Sequence, residues 1–300
     1  MNAIEIRNLS KSFRGMYAVD HLNMTVPVGA IYGFIGENGS GKSTTEKLIC
    51  GHLVPDCGEI KLFGKDHADA GVRVRVGALI ENAGCFPSSS VWSNLKMQAL
   101  NLGLANPEEE INRVLKIVRM EDSAFIKFKS CSLGMKQRIG IAMALLGDPA
   151  LLILDEPING LDTDGMRIMR EILVDITQTY GCTVLISSHI LGELEKIATH
   201  YGIIRQGKMI QELSAKEMES RARVFVSLKT KDMQGAKNVL EKHFEKVRGE
   251  EDCLRVYDVE NAETVVETLL KNGHTVSEIK KNKVGLEEYY MELMSRKEAE

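Results

Sequence analysis

The sequence predicts an α/β fold built on a parallel sheet, followed by a smaller α+β unit. Three observations point there. A strand-like apolar run, residues 30–35, enters a glycine-rich loop and then a helix-compatible stretch, residues 43–50, closed by Gly51. Two more continuous apolar runs, residues 151–154 and 183–186, end in the polar clusters Asp155-Glu156-Pro157 and Ser187-Ser188-His189. Such runs suit buried parallel strands, whose carboxyl ends carry ligand groups. Past about residue 215 the pattern starts again, with alternating strands at 224–228 and 254–257 and helix-like segments near 232–246 and 262–272.

Taken in order, residues 3–36 read as short strands broken by turns, with Ile4 and Ile6 alternating, and Met24 and Val26 likewise. Pro55-Asp56-Cys57-Gly58-Glu59 reads as a turn before a short strand at 60–64. Residues 82–147 become helix-rich. Asn106 is the expected N-cap of one helix, with Pro107 at its first position and Glu108, Glu109 and Glu110 on its positive dipole end. Ile111, Val114, Leu115 and Val118 give that helix one apolar face. The expected domains are 1–215, with a helical subdomain at about 82–147, and an accessory α+β domain at 216–300. In its last helix, residues 286–296, the charges read as a solvated face, with Tyr289, Tyr290 and Leu293 packing inward.

Composition excludes several classes. With 44% apolar residues, 27% charged residues and a net charge of −4, there is no basic footprint for nucleic acid. The longest apolar run, residues 139–147 between Arg138 and Asp148, is far too short for a bilayer. The first residues lack the charged and apolar regions of a signal peptide. Six cysteines without a C-x-x-C pair read as reduced thiols in a cytoplasmic protein rather than disulfides or zinc ligands. Any membrane role would run through a partner.

The loop Gly36-Glu37-Asn38-Gly39-Ser40-Gly41-Lys42-Ser43-Thr44 fits G-x-x-x-x-G-K-[ST]. Glycines let its backbone N–H groups turn inward on phosphate oxygens at a helix N-terminus. Lys42 would reach the β- and γ-phosphates, and Ser43 would place its hydroxyl on Mg²⁺. This predicts binding of a nucleoside triphosphate. Asp155 is then expected in the Mg²⁺ shell and Glu156 at the attacking water. Glu46, beside Lys47, reads as a solvated helix position, and Arg73 and Arg75 as surface charges. Trp92 fits core and interface equally.

Together with Ser132-Leu133-Gly134-Met135-Lys136-Gln137-Arg138, Asn159-Gly160-Leu161-Asp162 and Ser188-His189, the order of these motifs resembles an ATP-binding-cassette (ABC) ATPase over residues 1 to about 212. The resemblance implies a P-loop NTPase (RecA-like) core with antiparallel β and helical subdomains. It implies ATP and Mg²⁺ as ligands, and two cassettes pairing head to tail with two ATP between them. Phe13, or its rival Tyr17, would stack on adenine. Ser132 and Gly134 would contact the γ-phosphate held by the other copy, Asp162 would lie on the loop crossing the dimer interface, and His189 would position the water. The signature departs from the usual Ser-Gly-Gly-Gln at Leu133 and Met135, Ile158 stands where Thr is common, and Glu81 replaces the usual Gln that touches Mg²⁺. The resemblance thus puts Glu81 at the nucleotide and the metal, where a carboxylate would bind Mg²⁺ more strongly than an amide.

Glu81, the signature and the appended domain resemble the bacitracin/lantibiotic-resistance exporter branch. That likeness implies the ATPase subunit of an exporter of antimicrobial peptides or other amphipathic toxic compounds. Its expected partners are a second copy of itself and polytopic membrane permease subunits, which would hold it peripherally on the inner face of the cell membrane; no nucleic acid is expected. The competing reading is a soluble ABC ATPase acting on nucleic acid or ribosomes, although one set of motifs and no sustained heptads stand against it. A small-molecule P-loop kinase would leave the signature unexplained.

Overall fold

In a computed structural model of the chain, the first two strands, β1 (Asn2–Phe13) and β2 (Met16–Pro27), form one long antiparallel hairpin. The expected short strands are corrected here. Register shifts interrupt the side-chain alternation while the ladder runs on past them. Ile4, Ile6, Met24 and Val26 are buried. The structure describes residues 1–296 apart from Ala222, Glu251 and Glu260. It divides into two units, Met1–Ala215 and Lys216–Glu300.

In the first unit β3 (Ile31–Ile35) leads through the glycine-rich loop into α1 (Lys42–Ile49), which ends as expected, with Gly51 at φ +70°. Then β4 (Cys57–Leu62) starts inside the expected turn. Asp56 accepts from Ser12 N at 2.7 Å and from its hydroxyl at 2.8 Å, and Cys57 pairs with Ser10, so β1 zips the turn residues into the sheet. With β5 (Lys65–Asp66) these strands form an antiparallel sheet in the order β2-β1-β4-β5. After α2 (Ala70–Arg73), β6 (Val76–Leu79) joins a second sheet. Arg73 and Arg75 are exposed, yet both lie on the fold: Arg73 Nε donates to His67 O, and the Arg75 guanidinium lies 4.1 Å from the centre of the Phe63 ring.

The helical region holds α3 (Val91–Asn101), α4 (Pro107–Ile117) and α5 (Leu133–Leu145). Ile111, Val114, Leu115 and Val118 are buried, as the period requires. Asn106 does not cap α4 through its side chain; the amide instead reaches Glu109 Oε2 at 3.5 Å. Trp92 is half-buried and stacks on the exposed Phe125 with ring centres 5.9 Å apart.

The chain then returns through β7 (Leu151–Asp155), α6 (Thr163–Gln178), β8 (Thr183–Ser188), α7 (Leu191–Leu194), β9 (His200–Arg205) and β10 (Lys208–Ser214). The second sheet runs β10-β9-β3-β8-β7-β6, parallel except for the β10–β9 hairpin. Phe34, Leu48, Ile153 and Leu185 share one core with Ile4, Leu9 and Val26 of the antiparallel sheet. This is the parallel-sheet α/β fold that the sequence predicts, with the antiparallel and helical subdomains that the resemblance implies.

The second unit contains β11 (Val224–Lys229), α8 (Met233–Leu240), β12 (Val247–Gly249), β13 (Leu254–Tyr257), α9 (Ala262–Lys271), β14 (Glu278–Lys283) and α10 (Leu286–Arg296). Its antiparallel sheet runs β12-β13-β11-β14, and Val226, Leu254 and Val256 pack with Leu240 and Leu269 of the helices. Helix α8 stops well short of 246, because Lys246 O accepts from Tyr257 N and Val247–Gly249 pair with β13. The solvated reading of α10 is corrected as well. Tyr289 packs on Phe225 and Tyr257, but Glu288 and Glu292 also turn to the sheet. Glu288 accepts from the Tyr257 hydroxyl at 2.5 Å and from Arg255 at 3.2 Å, while Glu292 accepts from Lys246 at 2.6 Å. The groups that call those carboxylates inward are distant in sequence, Arg255 and Tyr257 on β13 and Lys246 just before β12.

Candidate nucleotide site

Strand order assembles this region. Because β8 lies between β3 and β7, the loop after β3, the Asp155-Glu156 pair and the Ser187-Ser188-His189 stretch meet at neighbouring carboxyl ends. The loop is held closely enough to need its glycines. A Cβ on Gly36 would sit 2.5 Å from Ile204 O, and Gly41, at φ +108°, would place one 2.4 Å from Ala18 O. Lys42 is buried, its ammonium donating to Gly36 O at 2.6 Å and Glu37 O at 3.1 Å. Asn38, Gly39, Gly41, Lys42, Ser43 and Thr44 line a hollow of about 400 Å³ with Ala18, Asp155 and Glu156.

A hydrogen-bonded chain joins Ser43, Asp155 and Glu156 of that hollow to Ser187 and His189, which lie outside its lining. Ser43 Oγ donates to Asp155 Oδ2 at 3.0 Å, and Ser187 Oγ donates to Asp155 Oδ1 at 2.8 Å. Glu156 N donates to Ser187 Oγ at 3.2 Å, and Glu156 Oε2 lies 2.9 Å from His189 Nδ1. Glu156 has φ +50°, a left-handed backbone held for a non-glycine residue beside the hollow. Ser187, the hinge of this chain, carried no signal beyond its place after an apolar run.

Glu46 corrects the sequence reading. Far from solvated, it is fully buried, and neither carboxylate oxygen has a hydrogen-bond partner. It shares a buried face of α1 with Lys42, four residues before, and Ile49, three residues after, while Lys47 reaches out to pair with Glu81. Burial above all, and then the charge of Asp155, push its carboxyl up to about 8. Ser187 lies near enough to oppose this, but its single proton is given to Asp155. Helical phase counted from the apolar Ile49 was the available signal; the residue's polarity outweighed it.

The donor chemistry fits Mg²⁺. Among the described residues no group of three or more His, Cys, Asp or Glu could hold a metal. A hydroxyl and a carboxylate already in contact, with a buried carboxyl free of partners behind them, are oxygen donors for a cation completed by phosphate oxygens.

Other expected residues lie elsewhere. Phe13 and Tyr17 are exposed on the β1–β2 hairpin, and neither lines the hollow, although Ala18 does. Glu81, at φ +66°, is ion-paired with Lys47 at 2.6 Å, which holds its carboxyl below the usual range. It lines a different hollow, with Phe128, Lys136 and Gln137. Ser132 and Asp162 cap α5 and α6, accepting from Met135 N at 3.3 Å and Gly165 N at 2.9 Å. With Gly134 they line a third depression. A Cβ on Gly134 would meet only Leu161 Cδ2, at an ordinary 3.5 Å. The chain thus brings together the loop, Asp155, Glu156 and His189, and separately Ser132, Gly134 and Asp162; Phe13 and Glu81 join neither group.

The model of a family described as "ABC transporter" matches residues 19–159. The chain is 35% identical over 297 residues to the bacitracin transport ATP-binding protein BcrA of Bacillus licheniformis, covering 97% of each. It is 39% identical over 209 residues to the lantibiotic transport ATP-binding protein SrtF of Streptococcus pyogenes, covering 70% of this chain and 90% of that one. Among solved structures, the dimeric cassette MJ0796 in a post-hydrolysis state with ADP and Pi has the same fold, with a TM-score of 0.65 at 20% identity over 71% of this chain and 98% of that one.

Proposed function

For a chain that belongs to the ATP-binding proteins of ABC transporters, ATPases whose hydrolysis of ATP is coupled to transport, we propose the finer role of powering an exporter of antimicrobial peptides or other amphipathic toxic compounds. The observation that carries this is the reach of the bacitracin-transport likeness, which runs through 97% of the chain and so includes the second unit. Permease subunits would hold the chain at the inner face of the membrane. Among the described residues, no helix is long and apolar enough to cross a membrane.

In this reading the amides of residues 36–44 and the Lys42 ammonium bind the phosphates of ATP, with Lys42 exchanging loop carbonyls for phosphate oxygens. Ser43 and Asp155 hold Mg²⁺, which supplies positive charge against the phosphate oxygens. Glu156 accepts a proton from water as the water oxygen bonds to the γ-phosphorus and the bond to the bridging oxygen breaks, releasing ADP and phosphate. His189, in contact with Glu156 Oε2, orients that carboxylate and the water. Ser132 and Gly134 serve the nucleotide of a second, head-to-tail copy, with Asp162 near the interface. Support comes from Gly134, whose missing side chain nothing within one chain demands.

The test is affinity capture of the tagged chain from gently solubilised native membranes, with a peptide-antibiotic challenge of cells lacking it. Recovery of a polytopic protein in fixed ratio, with raised sensitivity to bacitracin or a lantibiotic, is the expected outcome. Recovery free of membrane proteins, with sensitivity unchanged, would end the exporter reading.

A further inference from the structure

Among the described residues, Glu46 contributes two of the few buried side-chain atoms that make no hydrogen bond. A carboxyl withdrawn from water without a partner opposes folding, and an apolar side chain would fill an inward helix position without that penalty. Its surroundings give a direction in which the penalty could serve function. The carboxyl is buried on α1 three residues past Ser43, within electrostatic reach of Asp155, Lys42 and Glu156 and near the Ser187 hydroxyl, beside the chain from Ser43 through Asp155 and Ser187 to Glu156. Lys42 does not neutralise it by contact, since its ammonium donates to the carbonyls of Gly36 and Glu37. A charge on this carboxyl would act in a buried place where solvent and salt screen it weakly.

We infer that Glu46 is a positioning residue of the cation site: a second carboxyl behind Asp155 that strengthens the hold of Ser43 and Asp155 on a divalent cation without ligating it. The inference rests on the proposed role of Ser43 and Asp155. It follows the general behaviour of groups placed behind metal ligands, whose loss weakens metal binding through the ligands they orient and polarise. It also gives the buried, unpartnered carboxyl a use that packing alone does not supply.

The full-length protein, Glu46→Gln, Glu46→Leu and Asp155→Asn would be titrated with Mn²⁺ in the presence of a non-hydrolysable ATP analogue. Free Mn²⁺ would be counted by electron paramagnetic resonance, and melting temperatures recorded without metal. Both Glu46 variants should bind Mn²⁺ ~10-fold or more weakly. Their affinity for the analogue in chelator should be unchanged, and Glu46→Leu should melt above the wild type. A carboxyl with a purely structural role would instead lower the melting temperature on removal and leave the Mn²⁺ titration alone. Mn²⁺ affinities within about twofold of wild type in both Glu46 variants, with affinity lost in Asp155→Asn, would overturn the inference and leave the site reading standing. Full affinity in Asp155→Asn as well would bring down the site reading and the inference together.

Discussion

Gly41 and Gly134 both stand at the entrance of a helix, and the chain surrounds them differently. At Gly41 the neighbours are internal: the backbone is left-handed, and Ala18 O stands where a side chain would begin. At Gly134 the backbone is ordinary helix, and a side chain would meet one leucine methyl at normal distance. The phosphate loop therefore finishes itself within the fold. The signature depression lies open, and no crowding within the chain accounts for the glycine there, which fits the proposed approach of a nucleotide held by a second copy. The difference separates the part of nucleotide handling that one chain completes from the part assigned here to a second copy.

Substitutions can break that comparison or sharpen it. Lys42→Ala removes the cation inside the self-contained loop and should lower ATP turnover at least ~1,000-fold, with nucleotide binding lost in equilibrium titration. Retained turnover would refute the site. Glu156→Gln should bind ATP yet turn over roughly 100-fold or more slowly, and should accumulate as a dimer in sedimentation with ATP. A variant that remains monomeric would count against the head-to-tail pairing. Gly134→Val is the sharpest comparison. Each isolated chain should bind ATP within about twofold of wild type, while dimer formation and turnover fall by roughly 100-fold, because the added methyls obstruct only an outside ligand. If binding by the monomer fails instead, the depression serves its own chain. Glu81→Gln should change least, leaving turnover within about twofold, since it breaks an exposed ion pair with Lys47 outside the hollow.

The legible parts were those whose signal is local. The phosphate loop, Asp155-Glu156-Pro157 and the buried face of α4 follow from residue type and spacing over a few positions. What escaped depended on partners distant in sequence. Cys57 reads as turn until Ser10 pairs with it. Glu288 and Glu292 read as solvated until Arg255 and Tyr257 of the sheet, and Lys246 at its edge, stand opposite. Glu46 reads as surface until the ends of β7 and β8 close over that side of α1.

By itself the sequence determined the elements and the chemistry of the phosphate loop, because apolar runs, glycines and carboxylates act through short-range sterics and solvation. Only the tertiary structure decided which carboxylates meet. The strand order β3-β8-β7 sets Ser43, Asp155, Ser187, Glu156 and His189 in one hydrogen-bonded line and seals Glu46 behind it. The same packing leaves Glu81 to Lys47 and holds the signature depression apart. The physical reason is that strand pairing joins segments far apart in sequence, β3 with β8 across about 150 residues and β7 with β8 across about 30, at a register no local pattern encodes.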